Sequence, residues 1–203
     1  ELIDANSAPR LMSRIGELHH ALHRLAGSDL TPMSNAVWLR RASDDFAQIG
    51  LYFPEARERL AHLPALLTRL VPSDTGFVLC HGDFVCSQLL LAGDRWSITD
   101  FDLACSADPC SDVAMLVASL PYDVPFAAED PTGQRTDVLA AAYLEGYSAV
   151  ARQSVDAQRL LWHRIVAEIY YLALMLKKDR FDQSWFETCV TRAIGLGDRL
   201  AHA

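Results

Sequence analysis

Residues 77–112 read FVLC-HGDFVCSQ-LLLAGDRWSIT-DFD-LACSADPCSD, and the reading of this stretch decides the fold. Phe77–Cys80 and Leu89–Ala92 are short apolar strands, and Arg95–Thr99 is a third after an Ala92-Gly93-Asp94 turn. Polar loops stand at the strand ends. The first carries His81, Gly82, Asp83 and Gln88, and the second carries Asp100 and Asp102. Strands hold position and loops are free to carry chemistry, so these loops are the candidate site.

The spacing narrows the chemistry. His81-Gly82-Asp83, four residues, then Gln88, copies the H-R-D-x-x-x-x-N spacing of the protein-kinase catalytic loop. In that loop the Asp faces the acceptor hydroxyl and the Asn ligates magnesium. A hairpin then returns the chain to Asp100-Phe101-Asp102, which stands where D-F-G would. His-Gly-Asp in place of His-Arg-Asp resembles the aminoglycoside phosphotransferase and choline kinase family of small-molecule kinases. Ile98-Thr99-Asp100-Phe101-Asp102, Ala107-Asp108-Pro109 and Ser111-Asp112-Val113-Ala114 look like the second block of that family. The chain departs from the pattern at Gln88, where members read Asn, and at Ala107, where they read Gly. Gln offers the same amide oxygen on a stem one methylene longer.

The resemblance implies a role for each residue. Asp83 is the general base, or orients the acceptor hydroxyl; the plainer alternative is a turn Asp bonded to its own backbone. Asp100, at the end of an apolar strand, is the magnesium ligand, because magnesium takes a few carboxylate oxygens plus phosphate and water. Gln88 is either the second protein ligand or a side chain that orders its loop. Asp102 is a further candidate for a second metal or the substrate, or it holds its own loop. His81 props the catalytic loop from beneath. Asp112 is either the buried acid that bonds the catalytic-loop backbone or the cap of its own helix. The implied cofactors are Mg2+ with ATP or GTP. The implied reaction moves the γ-phosphoryl group to a hydroxyl of a small molecule such as an aminoglycoside, an amino-alcohol or a sugar.

Parts of a kinase are missing from the stretch before Asp83. No G-x-G-x-x-G and no G-x-x-x-x-G-K-[ST] occurs, and the only lysines are Lys177 and Lys178. The expectation is an α+β, mainly helical single domain spanning 1–203, the C-terminal lobe of a protein-kinase-like fold, with the nucleotide-clamping N-terminal lobe absent. The chain starts at Glu1 without Met, which suggests a trimmed piece of something longer. Alone it is expected to show little or no catalysis.

Composition fits a soluble, cytoplasmic domain: 51% of residues are hydrophobic and 22% charged. No apolar run is long enough for a membrane span, and the first residues lack the regions of a signal peptide. A net charge of −8 disfavours nucleic acid and leans toward a cationic acceptor. The five cysteines show no C-x-x-C pair and read as reduced thiols.

Along the chain, residues 9–26 form a helix stopped by Gly27. His19, His20 and His23 ride on it; His19 and His23 are four apart and could bind a metal, but with no H-E-x-x-H pattern and no carboxylate well placed they read as a solvated or packed face. Residues 28–42 read as a connecting loop, and Ser43-Asp44-Asp45 as the start of a short helix near Phe46. Another helix begins at Pro54 and is kinked or split at Pro64. A helix capped by Ser111 or Asp112 runs to about Leu120, and Pro121 to Gly133 is loop. Helices follow at about 135–150, 155–178 and 183–201, with Ser154 and Asp182 as caps and Trp162, Tyr170, Tyr171, Met175 and Trp185 as core. Loop 121–133 and the last two helices are expected to shape the acceptor pocket.

Two other classes compete. A lobe without its partner, with Gln for Asn, is also a degenerate kinase-like module that binds a ligand without transfer. Asp100-Phe101-Asp102 at a strand end also matches the D-x-D of metal-dependent glycosyltransferases, which leaves His81-Gly82-Asp83 unexplained and needs a longer strand–helix alternation.

Overall fold

The computed structural model describes residues 7–25, 27, 29–74, 76–93, 95–123, 134–151, 155–176 and 183–203. In chain order these form α1 (Ala8–His23), β1 (Pro32–Met33), α2 (Asn35–Tyr52), α3 (Pro54–Arg59), α4 (His62–Arg69), β2 (Val78–Cys80), β3 (Leu89–Ala92), β4 (Arg95–Ile98), β5 (Cys105–Ala107), α5 (Pro109–Asp123), α6 (Gln134–Ala151), α7 (Ala157–Met175) and α8 (Gln183–His202). The architecture is mainly helical with a small strand cluster, as the sequence predicts. The chain divides into two compact units, one of residues 1–32 with 76–156 and the other of residues 33–75 with 157–203.

The first unit carries β2 to β5. β2 runs antiparallel to β5, with Leu79 opposite Ser106, and β5 lies between β2 and β1. β5 is not apparent in the sequence, because Cys105-Ser106-Ala107 is too short and too small to show a strand pattern. β3 and β4 form a separate hairpin, with Leu89 opposite Ile98 and Ala92 opposite Arg95. That register is what carries Gln88 and Thr99 to the same end of the hairpin.

α1 packs along α6 at close range. A Cβ at Gly16 would lie 2.2 Å from the Tyr143 carbonyl oxygen, and one at Gly146 would lie 2.0 Å from that of Ser13. Glycine at both positions lets the two backbones touch. α5 is enclosed on all sides, and residues 110–121 are buried throughout. Asp108, not Ser111 or Asp112, starts this helix: its Oδ1 accepts the Cys110 N–H at 2.9 Å, with Pro109 in the first turn. The helix continues through Pro121 to Asp123, so the predicted loop begins later than expected. Pro121 lies in the last turn, where it keeps a helical φ and removes a single ladder bond near the helix end. Residues 124–133, the rest of that loop, lie outside the described residues, as do Lys177, Lys178 and the proposed caps Ser154 and Asp182.

In the second unit α2 takes residues 35–42 of the loop expected at 28–42, together with the helix expected to start at Ser43. Ser34 is the cap: its Oγ accepts the Val37 N–H at 3.4 Å, while Asp74 takes the Asn35 N–H at 2.7 Å. The buried stripe of α2 is thin, only Asn35, Trp38, Ala42 and Ile49, and the intervening Arg40, Arg41, Asp44 and Asp45 obscure it in the sequence. Pro64 sits in the first turn of α4, so the segment is split into α3 and α4. The buried Trp162 of α7 donates its Nε1–H to the Leu67 carbonyl at 2.9 Å, and Phe53 meets Phe186 with ring centroids 4.7 Å apart.

Candidate active site

Every candidate site residue belongs to the first unit. His81, fully buried, is the hub. Its Nε2 lies 2.8 Å from the Thr99 carbonyl and donates to it, which leaves Nδ1 to accept the Asp83 N–H at 3.3 Å. One imidazole thus ties the loop bearing Asp83 to the strand end bearing Asp100. Its ring rests against Phe101, with centroids 4.6 Å apart.

Gly82 has φ +82°, and a Cβ there would lie 2.1 Å from the Leu103 carbonyl oxygen. Arginine, the residue of protein kinases, does not fit this backbone, so the Gly of His-Gly-Asp is a steric requirement. Asp83 is half-buried, and burial raises its pKa; Asp100 and Asp112 add to the rise and His81 opposes it.

Asp100 holds φ 64°, ψ 61°, the one positive φ at a non-glycine among the described residues. Backbone strain of this kind collects at functional sites. Gln88 donates Nε2–H to Asp100 Oδ2 at 3.2 Å, while Thr99 Oγ1 donates to Gln88 Oε1 at 3.2 Å. The hairpin therefore brings Gln88 and Asp100 together. Asp102 lies exposed on the 3-10 turn Phe101–Leu103.

Asp112 faces the loop from below. Its Oδ2 accepts the His81 N–H and its Oδ1 accepts the Gly82 N–H, the latter at 2.9 Å. Burial would raise its pKa, but the imidazoles of His19 and His23 outweigh burial and hold the carboxyl below the usual range. His19 and His23 come from α1, and sequence reasoning placed no carboxylate near them. The one that arrives is Asp112, from α5. Tyr143 and Tyr147 of α6 complete the group, with Tyr143 Oη 2.5 Å from His19 Nδ1 and Tyr147 Oη 2.7 Å from His23 Nδ1. The signal in the sequence was a pair of i, i+4 repeats, His19/His23 and Tyr143/Tyr147, each on one helix face. Phe84, buried beside Asp83 in the same loop, stacks on His19 with centroids 3.6 Å apart.

A buried loop acid, an Asp at a hairpin end and a tethered His-Gly-Asp loop define the C-terminal lobe of a kinase-like fold. Residues 2–164 match the model of the phosphotransferase enzyme family, and the chain belongs to that family. Solved structures with the same fold include a choline/ethanolamine kinase family protein from Mesorhizobium loti, at TM-score 0.68 and 14% identity, covering 99% of this chain and 68% of that one. An aminoglycoside-3'-phosphotransferase of type VIII aligns at TM-score 0.61 and 21% identity, over 82% of this chain and 62% of that one. A glucosamine kinase in complex with glucosamine, ADP and inorganic phosphate aligns at TM-score 0.63 and 20% identity, over 97% of this chain and 55% of that one. The chain thus spans 55% to 68% of the length of these three proteins. No curated protein matches the sequence. The glycosyltransferase reading of Asp100 and Asp102 has no counterpart in the family match or these neighbours.

Among the described residues no helix is long and apolar enough to cross a membrane.

Proposed function

We propose that this chain is the magnesium- and acceptor-binding lobe of a cytoplasmic small-molecule kinase, which transfers the γ-phosphoryl group of ATP or GTP to a hydroxyl. The observation that carries the reading is the convergence of Gln88 and Asp100, 3.2 Å apart, beside a loop that presents Asp83. A nucleotide-clamping lobe would complete the nucleotide grip.

The donor set fits magnesium: an exposed carboxylate on the strained backbone of Asp100 and the amide oxygen of Gln88, both hard. Asp100 and Gln88 would hold it, with Gln88 turning its Oε1 toward the ion, and Asp102 is a further ligand candidate. When bound, the ion neutralises charge on the nucleotide phosphates. Asp83 aligns the acceptor hydroxyl and takes its proton onto a carboxylate oxygen; partial burial and the neighbouring acids make it a better base than an exposed Asp. His81 and Asp112 hold the loop so that Asp83 keeps its place, which matters because phosphoryl transfer is mainly positioning.

The net charge of −8 supports a cationic acceptor, an amino-alcohol or an aminoglycoside-like compound, ahead of a neutral sugar. One observation favours the second reading, a ligand-binding module without transfer: Gln88 stands where the family has Asn, and its amide nitrogen, not its oxygen, faces Asp100.

Calorimetric titration of ATP and GTP into the protein, with and without magnesium, tests the site. Magnesium-dependent binding that Asp100→Ala weakens supports it. Binding indifferent to magnesium, or unchanged in Asp100→Ala, removes Asp100 from the metal site. Turnover with an acceptor, in the chain joined to a nucleotide-clamping lobe, separates the kinase from the binding module.

A further inference from the structure

Beneath the catalytic loop lies a second group of metal-ligating atoms that the kinase reading does not use. His19 Nε2, His23 Nε2 and an Asp112 carboxylate oxygen all lie within 4.8 Å of one another, and all three residues are buried. Asp112 Oδ2 stands 3.4 Å from His19 Nε2 and 3.5 Å from His23 Nε2. These separations are long for hydrogen bonds to a carboxylate. They match the edge of a tetrahedral zinc shell, about 3.3–3.5 Å for ligands at about 2.0–2.2 Å from the ion. His23 Nε2 has no hydrogen-bond partner although its side chain is only 3% exposed.

The outer groups are also in place. Each imidazole has its Nδ1 against a tyrosine hydroxyl, Tyr143 for His19 and Tyr147 for His23. In the tautomer that donates Nδ1–H to that oxygen, both Nε2 lone pairs face Asp112 Oδ2. Three electron-rich atoms converging without a proton between them repel, and a cation at their centre removes the repulsion. The His81 and Gly82 N–H groups fix the carboxylate from the other side. A ligating His with its second nitrogen hydrogen-bonded, and a ligating carboxylate held by backbone donors, is how metal sites orient their ligands. Two imidazoles and one carboxylate select zinc over magnesium.

We propose that His19 Nε2, His23 Nε2 and Asp112 Oδ2 bind one zinc ion, which pins α1 to α5 and fixes the carboxylate that grips the catalytic loop. The fourth position of the tetrahedron goes to water. The site is separate from Gln88 and Asp100 and does not depend on the phosphotransferase reading.

The test is zinc binding to the purified chain after chelation and dialysis, read by calorimetry, by the visible absorption of cobalt substituted for zinc, and by Tm. One equivalent of zinc is expected, retained in excess magnesium, with a tetrahedral cobalt spectrum and a higher Tm. His23→Gln keeps the size of the side chain, so it tests the ligand without opening a cavity; it should abolish the cobalt spectrum. Tyr147→Phe removes only the outer hydroxyl and should weaken zinc on the order of 10–100-fold. No zinc bound by a folded protein, or zinc bound equally by His23→Gln, overturns the proposal; the second result would place the ion at the thiols or elsewhere.

Discussion

Asp112 Oδ1 accepts the Gly82 N–H at 2.9 Å, while the other oxygen accepts the His81 N–H. An acid from α5 thus holds the backbone of the loop that bears Asp83, which follows directly after. Asp112→Ala would leave two backbone donors without their acceptor. The expected loss is about 2–6 kcal/mol, since each of the two orphaned buried groups costs about 1–3 kcal/mol. Urea denaturation measures it, and a loss below about 1 kcal/mol would mean that water replaces the carboxylate at no cost.

Asp83 bears the proposed chemistry without a load in the core. Asp83→Asn, in the chain joined to a nucleotide-clamping lobe, should lower the proposed turnover by at least about 100-fold, the low end of general-base contributions. Nucleotide affinity should stay near the parent value. Near-normal turnover in the variant would move the base elsewhere.

Glu168 of α7 is fully buried, and neither carboxylate oxygen has a hydrogen bond. Burial raises its pKa from the ordinary 4.5, with Arg192 and Arg164 opposing. The folded state therefore prefers the protonated acid. Stability from this group is full below pH 4.5 and is lost as pH rises through the raised folded value. Glu168→Gln should flatten the fall in Tm above pH 4.5 measured by calorimetry. Parallel curves for parent and variant would show that Glu168 is ionised at no cost.

Gly146→Ala forces a methyl to within 2.0 Å of the Ser13 carbonyl oxygen, so α1 and α6 must separate. A destabilisation of at least about 1–3 kcal/mol is expected, the usual cost of overpacking. Gly195→Ala in α8 meets nothing within 4 Å. It should stabilise by about 0.4–1 kcal/mol through helix propensity and lost freedom of the unfolded chain. Equal effects at the two glycines, in the same denaturation experiment, would contradict the close α1–α6 approach.

The hairpin and its flanking loops were legible because their contacts are local. β3 and β4 follow each other across a tight turn, so apolar runs, turn residues and spacing together place Gln88 near Asp100. α2 was not legible. Its start depends on Ser34 and on Asp74, which caps Asn35 from 39 residues away, and its buried stripe is too thin to show a period. β5 exists through its pairing with β2, and nothing in Cys105-Ser106-Ala107 alone demands a strand. Asp112 read equally well as a helix cap, and only Asp108 taking that place frees its carboxylate for the loop.

By itself the sequence determined the helical composition, the central strand pair and the spacing of His81, Asp83, Gln88 and Asp100, since these rest on periodicity, turn chemistry and short loops. Only the tertiary structure decided what surrounds Asp112. His19 and His23 on α1, Tyr143 and Tyr147 on α6, and the loop amides of His81 and Gly82 meet there through the close crossing at Gly16 and Gly146. A buried polar group takes its partners from whatever elements pack against it, and sequence separation carries no record of that packing.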